Sequence, residues 1–300
     1  MQNKLINIRS DIFNAINNKR PVVALESSLI SHGLPHPQNI EVAQKSIKAV
    51  EDSGSIAATI AIIKGKIKVG LSNEDIDILA KENNIEKVST HNLPITTAQF
   101  RNGATTVAST IMIANKIGIK FIATGGIGGV HINAEKTFDI SADINELSNT
   151  NMNVVCSGAK SILDLDKTYE ILETFGITRI GYKTNFMPGF YYQSTNLKVD
   201  FNAKNISELK NIIKNKNILK QKSSTLIFNP VQKINAIKKS LIDKWIKESI
   251  AIANSKNILG RNLTPFLISS INELSKGRSL KTNISLIIDN ARLASKIASA

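Results

Sequence analysis

Val154-Val155-Cys156-Ser157-Gly158-Ala159-Lys160-Ser161-Ile162-Leu163-Asp164, VVCSGAKSILD, carries one long cation among small and apolar residues. The run at 153–156 reads as a short buried strand, and the apolar spacing beyond it predicts a helix over 161–175. Residues 179–182 predict the next strand. A strand, a crossover helix and a strand make the repeating unit of a parallel sheet. The lysine sits at the joint, just past the carboxyl end of the first strand.

The same pattern recurs outward in both directions. Residues 5–18 read as an opening helix, and PVVAL at 21–25 as a buried strand. Asn39 is placed to cap a helix that reaches about Asp52. Residues 57–63 and 67–71 flank Lys64-Gly65-Lys66 and read as a hairpin. Ser72 and Asp75 have the spacing of a capping box, so a helix is expected there. Lys87-Val88-Ser89 reads as a strand end. ATTVASTIMIANKI, 104–117, reads as a buried helix. FIAT at 121–124 is a strand running into Gly125-Gly126-Ile127-Gly128-Gly129-Val130-His131. Beyond about residue 205 the chain reads as mostly helical, broken by a strand at 226–229 and by turns at Gly260 and Gly277. This is an α/β sheet covered on both faces. No repeat and no Pro/Gly/Ser-rich linker divides the chain, so one domain over 1–300 is expected.

The 300 residues are 42% hydrophobic and 21% charged, with a net charge of +14. A basic chain suits anionic partners. Its lysines, however, are densest at 204–222 and 233–247, where they alternate with Ile and Leu as on solvated helix faces. Aromatics are only 5%, too few for a stacking nucleic-acid groove. Neither a nucleic-acid nor a membrane partner is expected. The single cysteine, Cys156, excludes an intrachain disulfide and a Cys-rich zinc site, and suits a reducing compartment. No secretory signal or membrane span is read, so a cytoplasmic protein is expected.

Reactive side chains fall repeatedly just past apolar strands, where open α/β sheets bind ligands. Glu26 follows VVAL, His131 and Asp139 follow FIAT and its glycine loop, and Lys160 follows NVVC. GGIGG lacks the spacing of a dinucleotide or P-loop fingerprint. It reads equally as a tight turn or as amides brought to an anion. Asp139 and Asp143 would share one face if both were helical, and a magnesium or manganese ion would relieve their repulsion. The spacing equally makes Ser141 a cap with Asp143 in the first turn, the commoner arrangement. A buried Glu26 would be a general acid, although a lone Glu at a strand end is more often a surface carboxylate. A helix starting at Ser161, with apolar neighbours, would disfavour charge on Lys160 and free its amine to attack carbon. The alternatives are a lysine reaching solvent or one holding a phosphate.

Taken together, VVALESSLISHGLPHPQN, IAIIKGKIKVGLS, NGATTVASTI, ATGGIGGVH, TFDISADINELSNTNMNVVCSGAKSILDL, ETFGI, LTPFLI and SLKTNISLI resemble the pseudouridine-5′-phosphate glycosidase (indigoidine synthase A-like) family from about residue 20 to 290. The resemblance implies a three-layer α/β/α fold with a central mixed sheet and a homotrimer. It implies reversible cleavage of the C–C glycosidic bond of pseudouridine 5′-phosphate to uracil and ribose 5-phosphate, in pseudouridine catabolism, with one divalent metal per subunit, usually Mn²⁺. Lys160 would be the nucleophile forming a sugar imine, Glu26 the proton donor and Asp139 the metal ligand. Lys87, Val107, Ser141, Ala142 and Asp143 match substrate-binding positions, and Thr124, His131 and Asn283 match pocket-lining ones. Ser89-Thr90-His91-Asn92, Ile132-Asn133, Gln193 and the 229–232 stretch depart from the family pattern and lose charge near the expected pocket rim. A lysine-imine aldolase acting on another sugar phosphate shares Lys160 but not the uracil.

Overall fold

Period-two alternation in the strands of the main sheet fills a core on each of its faces, and a third core lies beside the side sheet, around Ala61, Ile63, Ile76 and Leu79. The computed structural model describes residues 5–258 and 263–300. In chain order these form β1 (Ile6–Ile8), α1 (Ser10–Asn17), β2 (Val22–Leu25), a π-helical turn (Leu29–Gly33), α2 (Gln38–Glu51), β3 (Ile56–Ile63), β4 (Lys66–Val69), α3 (Asn73–Lys81), β5 (Glu86–Val88) and α4 (Leu93–Ala98). Then follow β6 (Gly103–Thr105), α5 (Val107–Lys116), β7 (Phe121–Ala123), α6 (Ala134–Thr137), α7 (Ala142–Asn149), β8 (Asn153–Cys156), α8 (Leu165–Thr174), β9 (Thr178–Tyr182), β10 (Phe201–Ala203) and α9 (Ile206–Ile218). The chain ends with β11 (Thr225–Phe228), α10 (Lys239–Ser255), α11 (Leu263–Leu274) and α12 (Arg278–Ser299).

The main sheet runs β3-β2-β7-β8-β11-β9-β10, all parallel. Val22, Ala24, Val154 and Cys156 point into one core with Ile111 of α5 and Leu147 of α7. Val23, Leu25 and Val155 point into the other with Ala49 of α2 and Ala291 and Ala294 of α12. Both faces are therefore buried, as near-continuous apolar strands require.

β3 serves two sheets. Residues 56–59 pair in parallel with β2, while its second half pairs antiparallel with β4 and β6. β1 and β5 extend this side sheet as parallel neighbours of β4 and β6. Where the sheets part, the Ile60 carbonyl accepts hydrogen bonds from the Ser27 and Thr105 hydroxyls at 2.7 and 2.6 Å. The sheet is mixed, as expected, and its parallel strands direct their carboxyl ends to one side.

The structure corrects several local expectations. Residues 5–18 are a strand followed by a helix, because Ile6–Ile8 pairs with β4. Asn39 lies inside α2, with its Nδ2 donating to the Ile30 carbonyl at 2.8 Å, so it ties the π-helical turn down instead of capping. The helix read at 104–117 gives up Ala104 and Thr105 to β6, and Thr106 caps α5. The helix read at 161–175 starts at Leu165. β10 carried no clear sequence signal. The Ser72–Asp75 capping box is present. The Gly260 turn lies outside the described residues. Among the described residues, no helix is long and apolar enough to cross a membrane.

Lys216 of α9 is buried, donating to the Ser224 carbonyl at 2.6 Å and the Thr178 hydroxyl at 3.1 Å. Burial lowers its pKa from 10.5 to about 8. Below pH 8 the ammonium is charged in both folded and unfolded chains, and its desolvation cost is fully present. Between 8 and 10.5 the unfolded chain binds more protons, so the cost is relieved and stability rises. Urea unfolding should show wild type gaining on Lys216→Met as the pH rises from 7 to 9.5. A difference independent of pH would contradict this.

Candidate active site

The site forms where the strands β2, β5, β6, β7 and β8 end. A cleft enclosing about 580 Å³, partly open to solvent, is lined among others by Glu26, His32, Lys87, Lys160, Phe190 and Asn283. Its base is built from the two loops that follow β7 and β8. Strand pairing continues past the strands themselves. The Ser157 amide donates to Gly125 O at 2.9 Å, Ile127 to Gly158 O at 3.1 Å, and Lys160 to Ile127 O at 3.1 Å. Ile127 and Ala159 thus make a parallel bridge in loop territory. Gly158 has φ +87°, and a Cβ there would lie 2.1 Å from the Pro188 carbonyl oxygen. Only glycine permits this turn.

Lys160 therefore sits on a tethered loop and not on a helix N-terminus. Residues 161–163 form a turn, Ser161 Oγ donates to Gly189 O at 2.6 Å, and Asp164 caps α8 by accepting from the Lys167 amide. The positive end of the α8 dipole lies at Asp164 and Leu165, not at Lys160. The position of Lys160 at the strand end stands.

Glu26 is 6% exposed, so the surface-carboxylate alternative is set aside. The Thr124 and Ser28 hydroxyls donate to its two oxygens. Thr124 is in turn fixed from behind. Asn290 of α12, fully buried, donates to the Thr124 carbonyl at 2.8 Å and to Ser157 Oγ at 3.1 Å, and accepts from Asn229 Nδ2 at 3.0 Å. One amide thereby holds the ends of β7, β8 and β11 together. Sequence reasoning missed Asn290, whose partners lie far away along the chain. Asn229, one of the departures from the family pattern, is part of this brace.

Asp143 and Asp139 separate. Asp139 precedes α7, whose cap is Ser141, so the two carboxylates do not share a helix face. Asp143 is 5% exposed, and its oxygens accept from the Ala108 amide at 2.9 Å and the Gly128 amide at 2.8 Å. The anion held by the glycine loop at Gly128 is thus the protein's own. Gly128 must be glycine, since a Cβ would sit 2.2 Å from Ser141 Oγ. Val107 and Ala142 are the first residues of α5 and α7, and Asp143 staples these two helix starts to the loop.

Asp139 has a side chain 40% exposed, with Oδ2 3.9 Å from His131 Nδ1. Burial lowers the His131 pKa, Asp139 opposes this, and Lys160 and Lys87 add to it. Lys87 stays exposed to the cleft. Surrounding protein lowers its pKa and the charge of Lys160 lowers it further, against Asp143, Glu26 and Asp139. These interactions place Glu26, Lys87, His131, Asp139, Asp143 and Lys160 in one electrostatic neighbourhood. Glu26, Lys87, Lys160 and Asn283 line the cleft directly, and Thr124 supports it. Val107, His131, Asp139 and 141–143 adjoin it. None of Ile132, Asn133 or Gln193 lines it. Cys156 is fully buried and its thiol is pushed up to about 12, which leaves it inert.

Among the described residues, no group of three or more His, Cys, Asp and Glu side chains converges on a metal position. Asp139, partly exposed beside His131, offers a hard-oxygen donor. That suits a largely hydrated magnesium or manganese ion held through one carboxylate.

The model of the "Indigoidine synthase A like protein" family matches residues 11–300. The chain belongs to that family. It is 48% identical over 99% of its length, and 96% of the relative's, to the pseudouridine-5′-phosphate glycosidase of Caldanaerobacter subterraneus subsp. tengcongensis. It is 47% identical to the enzyme of the same name from Escherichia coli K12, over 98% and 95% of the two chains. A crystal structure of the prealnumycin C-glycosynthase AlnA in complex with ribulose 5-phosphate superimposes with a TM-score of 0.91 at 34% identity, covering 99% and 97%. The indigoidine synthase A-like protein of Thermotoga maritima gives 0.89 at 32% identity, covering 98% and 96%. The mixed α/β architecture is the one these family members share.

Replacing Asn290 by alanine removes the partners of the Thr124 carbonyl and of the Asn229 side-chain amide. At about 1–3 kcal/mol for each buried group left unpaired, the expected loss is about 2–4 kcal/mol in urea unfolding. A loss under about 1 kcal/mol would show that the three strand ends hold without it.

Proposed function

We propose that this protein cleaves the C–C glycosidic bond of pseudouridine 5′-phosphate, reversibly, to uracil and ribose 5-phosphate through an imine on Lys160. The observation that carries this is the pairing, in one cleft, of a buried carboxyl group (Glu26) with a lysine on a rigid strand-end loop (Lys160). The names of the relatives, and a neighbour crystallised with a pentulose 5-phosphate, support the substrate class.

An ordinary glycosidase protonates a leaving oxygen between two carboxylates. Here the leaving atom is carbon, so a different route is needed. Glu26 gives a proton to the ribose ring oxygen as the bond from C1′ to that oxygen breaks. Lys160 Nζ adds to C1′ as the free amine and sheds a proton. The nitrogen lone pair then forms C=N while the C1′–C5 bond breaks. Its electron pair stays with uracil, whose C5 takes a proton. Water adds to the imine, and collapse returns the amine and ribose 5-phosphate.

In this reading the first-turn amides at Val107 of α5 and Ala142 of α7, with the Lys87 ammonium, cradle the 5′-phosphate, and Ser141, whose own amide donates to the Gly129 carbonyl, contributes its hydroxyl. Asp143 holds that cradle in shape from behind, and both its oxygens are already engaged. Thr124 orients Glu26, while Asn283 and His131 face the sugar and base. Asp139 would hold the divalent ion, Mn²⁺ in our reading, which when bound supplies Lewis-acid stabilisation of anionic oxygens. Ile132, Phe138 and Ile140, close in sequence to Asp139, are exposed and would suit a contact between subunits, which we propose is that of a homotrimer. We also propose cytoplasmic pseudouridine catabolism as its setting.

Uracil release from pseudouridine 5′-phosphate with manganese tests this reading. Wild type should be active. Lys160→Ala should lose at least about 10³-fold in kcat, and Glu26→Gln about 10²–10⁴-fold. A fully active Lys160→Ala would overturn the mechanism. An inactive wild type would overturn the substrate.

A further inference from the structure

A second cavity lies behind Glu26, away from the substrate cleft. Leu25, Glu26, Leu29, Ile30, Ala43 and Ser46 line it, with Thr59, Ala123, Thr124 and Ile287 completing the wall. Most of this lining is apolar, but two hydroxyls are not accounted for. Ser46 on α2 is 4% exposed and Thr59 on β3 is 3% exposed. Among the described residues, neither Ser46 Oγ nor Thr59 Oγ1 has a hydrogen-bond partner. Buried hydroxyls are almost always paired, and leaving one unpaired costs about 1–3 kcal/mol. Two such groups facing one chamber point to a shared polar occupant.

The geometry follows from the fold. Thr59 is the register partner of Leu25, the residue before Glu26. It lies two residues from Ala57 and so faces the α2 side of the sheet, toward Ser46. The chamber is roomy enough for a water molecule. A buried water makes about three hydrogen bonds, and Ser46, Thr59 and Glu26 supply three. A carboxylate offers about four lone-pair positions. Thr124 and Ser28 use two of those on Glu26, which leaves room for a water on the chamber side.

We infer that this chamber is a built water site, and that its water, held by Ser46 and Thr59, positions the Glu26 carboxyl group by a hydrogen bond from the chamber side. Among the described residues, only Glu26, Leu29 and Ile287 line both the chamber and the cleft. Of these, Glu26 alone is polar in its side chain, so the chamber acts on the substrate through Glu26. Ser46 and Thr59 are therefore positioning residues. They touch neither substrate nor metal, and nothing in the proposed reaction yet uses them. The catalytic part of this inference rests on the proposed role of Glu26, whereas the hydration part does not.

Two measurements test it. A crystal structure of the substrate-free wild type should show an ordered water within hydrogen-bonding distance of Ser46 Oγ, Thr59 Oγ1 and the Glu26 carboxylate. Absence of that density would overturn the inference whatever the enzyme's substrate. In uracil release, Thr59→Val should lower kcat about tenfold, leave KM unchanged and shift the pH–rate profile. Thr59→Ser should keep wild-type values, which separates the hydroxyl from packing if Thr59→Val folds poorly. A Thr59→Val enzyme with wild-type kcat and pH profile would overturn the positioning role. An inactive wild type that still holds the water would instead refute the proposed substrate.

Discussion

Everything at the site depends on strand pairing that does not stop where the strands do. β7 and β8 are short, yet their hydrogen bonding continues through Ser157–Gly125, Ile127–Gly158 and Lys160–Ile127. Loops that would otherwise move independently become an extension of the sheet. Lys160 inherits the rigidity of the core while remaining at its open end, which suits the nucleophile role proposed for it. The cost is strict backbone geometry. Gly158 must take a positive φ against Pro188, and Phe190 closes over the loop through its amide bond to the Ser157 carbonyl.

A second layer locks this extension from outside. Asn290 joins the β7, β8 and β11 ends from α12, and Asp143 joins the glycine loop to the start of α5. Both use buried polar groups with their partners satisfied. Such networks rigidify when complete and fail sharply when one member is lost. Glu26 is held similarly, with hydroxyls on each oxygen. The reacting groups are thus braced from the core, and the cleft side is left for the substrate.

Much of this was legible in the chain. Short apolar strands alternating with helices announced the parallel sheet, and reactive residues after VVAL and NVVC fell at the strand ends where the site forms. What failed was what depends on distant partners. Ser161 reads as a helix start until Gly189 claims its hydroxyl, leaving Asp164 to cap. For Asp139 and Asp143 the commoner reading of the spacing, Ser141 as cap with Asp143 in the first turn, is the one the fold adopts. Ile6–Ile8 and Phe201–Ala203 are too short to show a period, and exist as strands because neighbours accept them. Asn290 looks like any polar residue on an amphipathic helix. Its meaning lies in Thr124, Ser157 and Asn229, which only the fold brings to it.

The central claim is that this tethered lysine, and no other, bonds to the sugar carbon. Borohydride reduction of the enzyme turning over with ribose 5-phosphate and uracil, followed by peptide mass analysis, tests it directly. The account predicts one reduced pentose phosphate adduct per chain, on the peptide bearing Lys160. An adduct on Lys87 or any other lysine, or no adduct from an enzyme that is turning over, would contradict it.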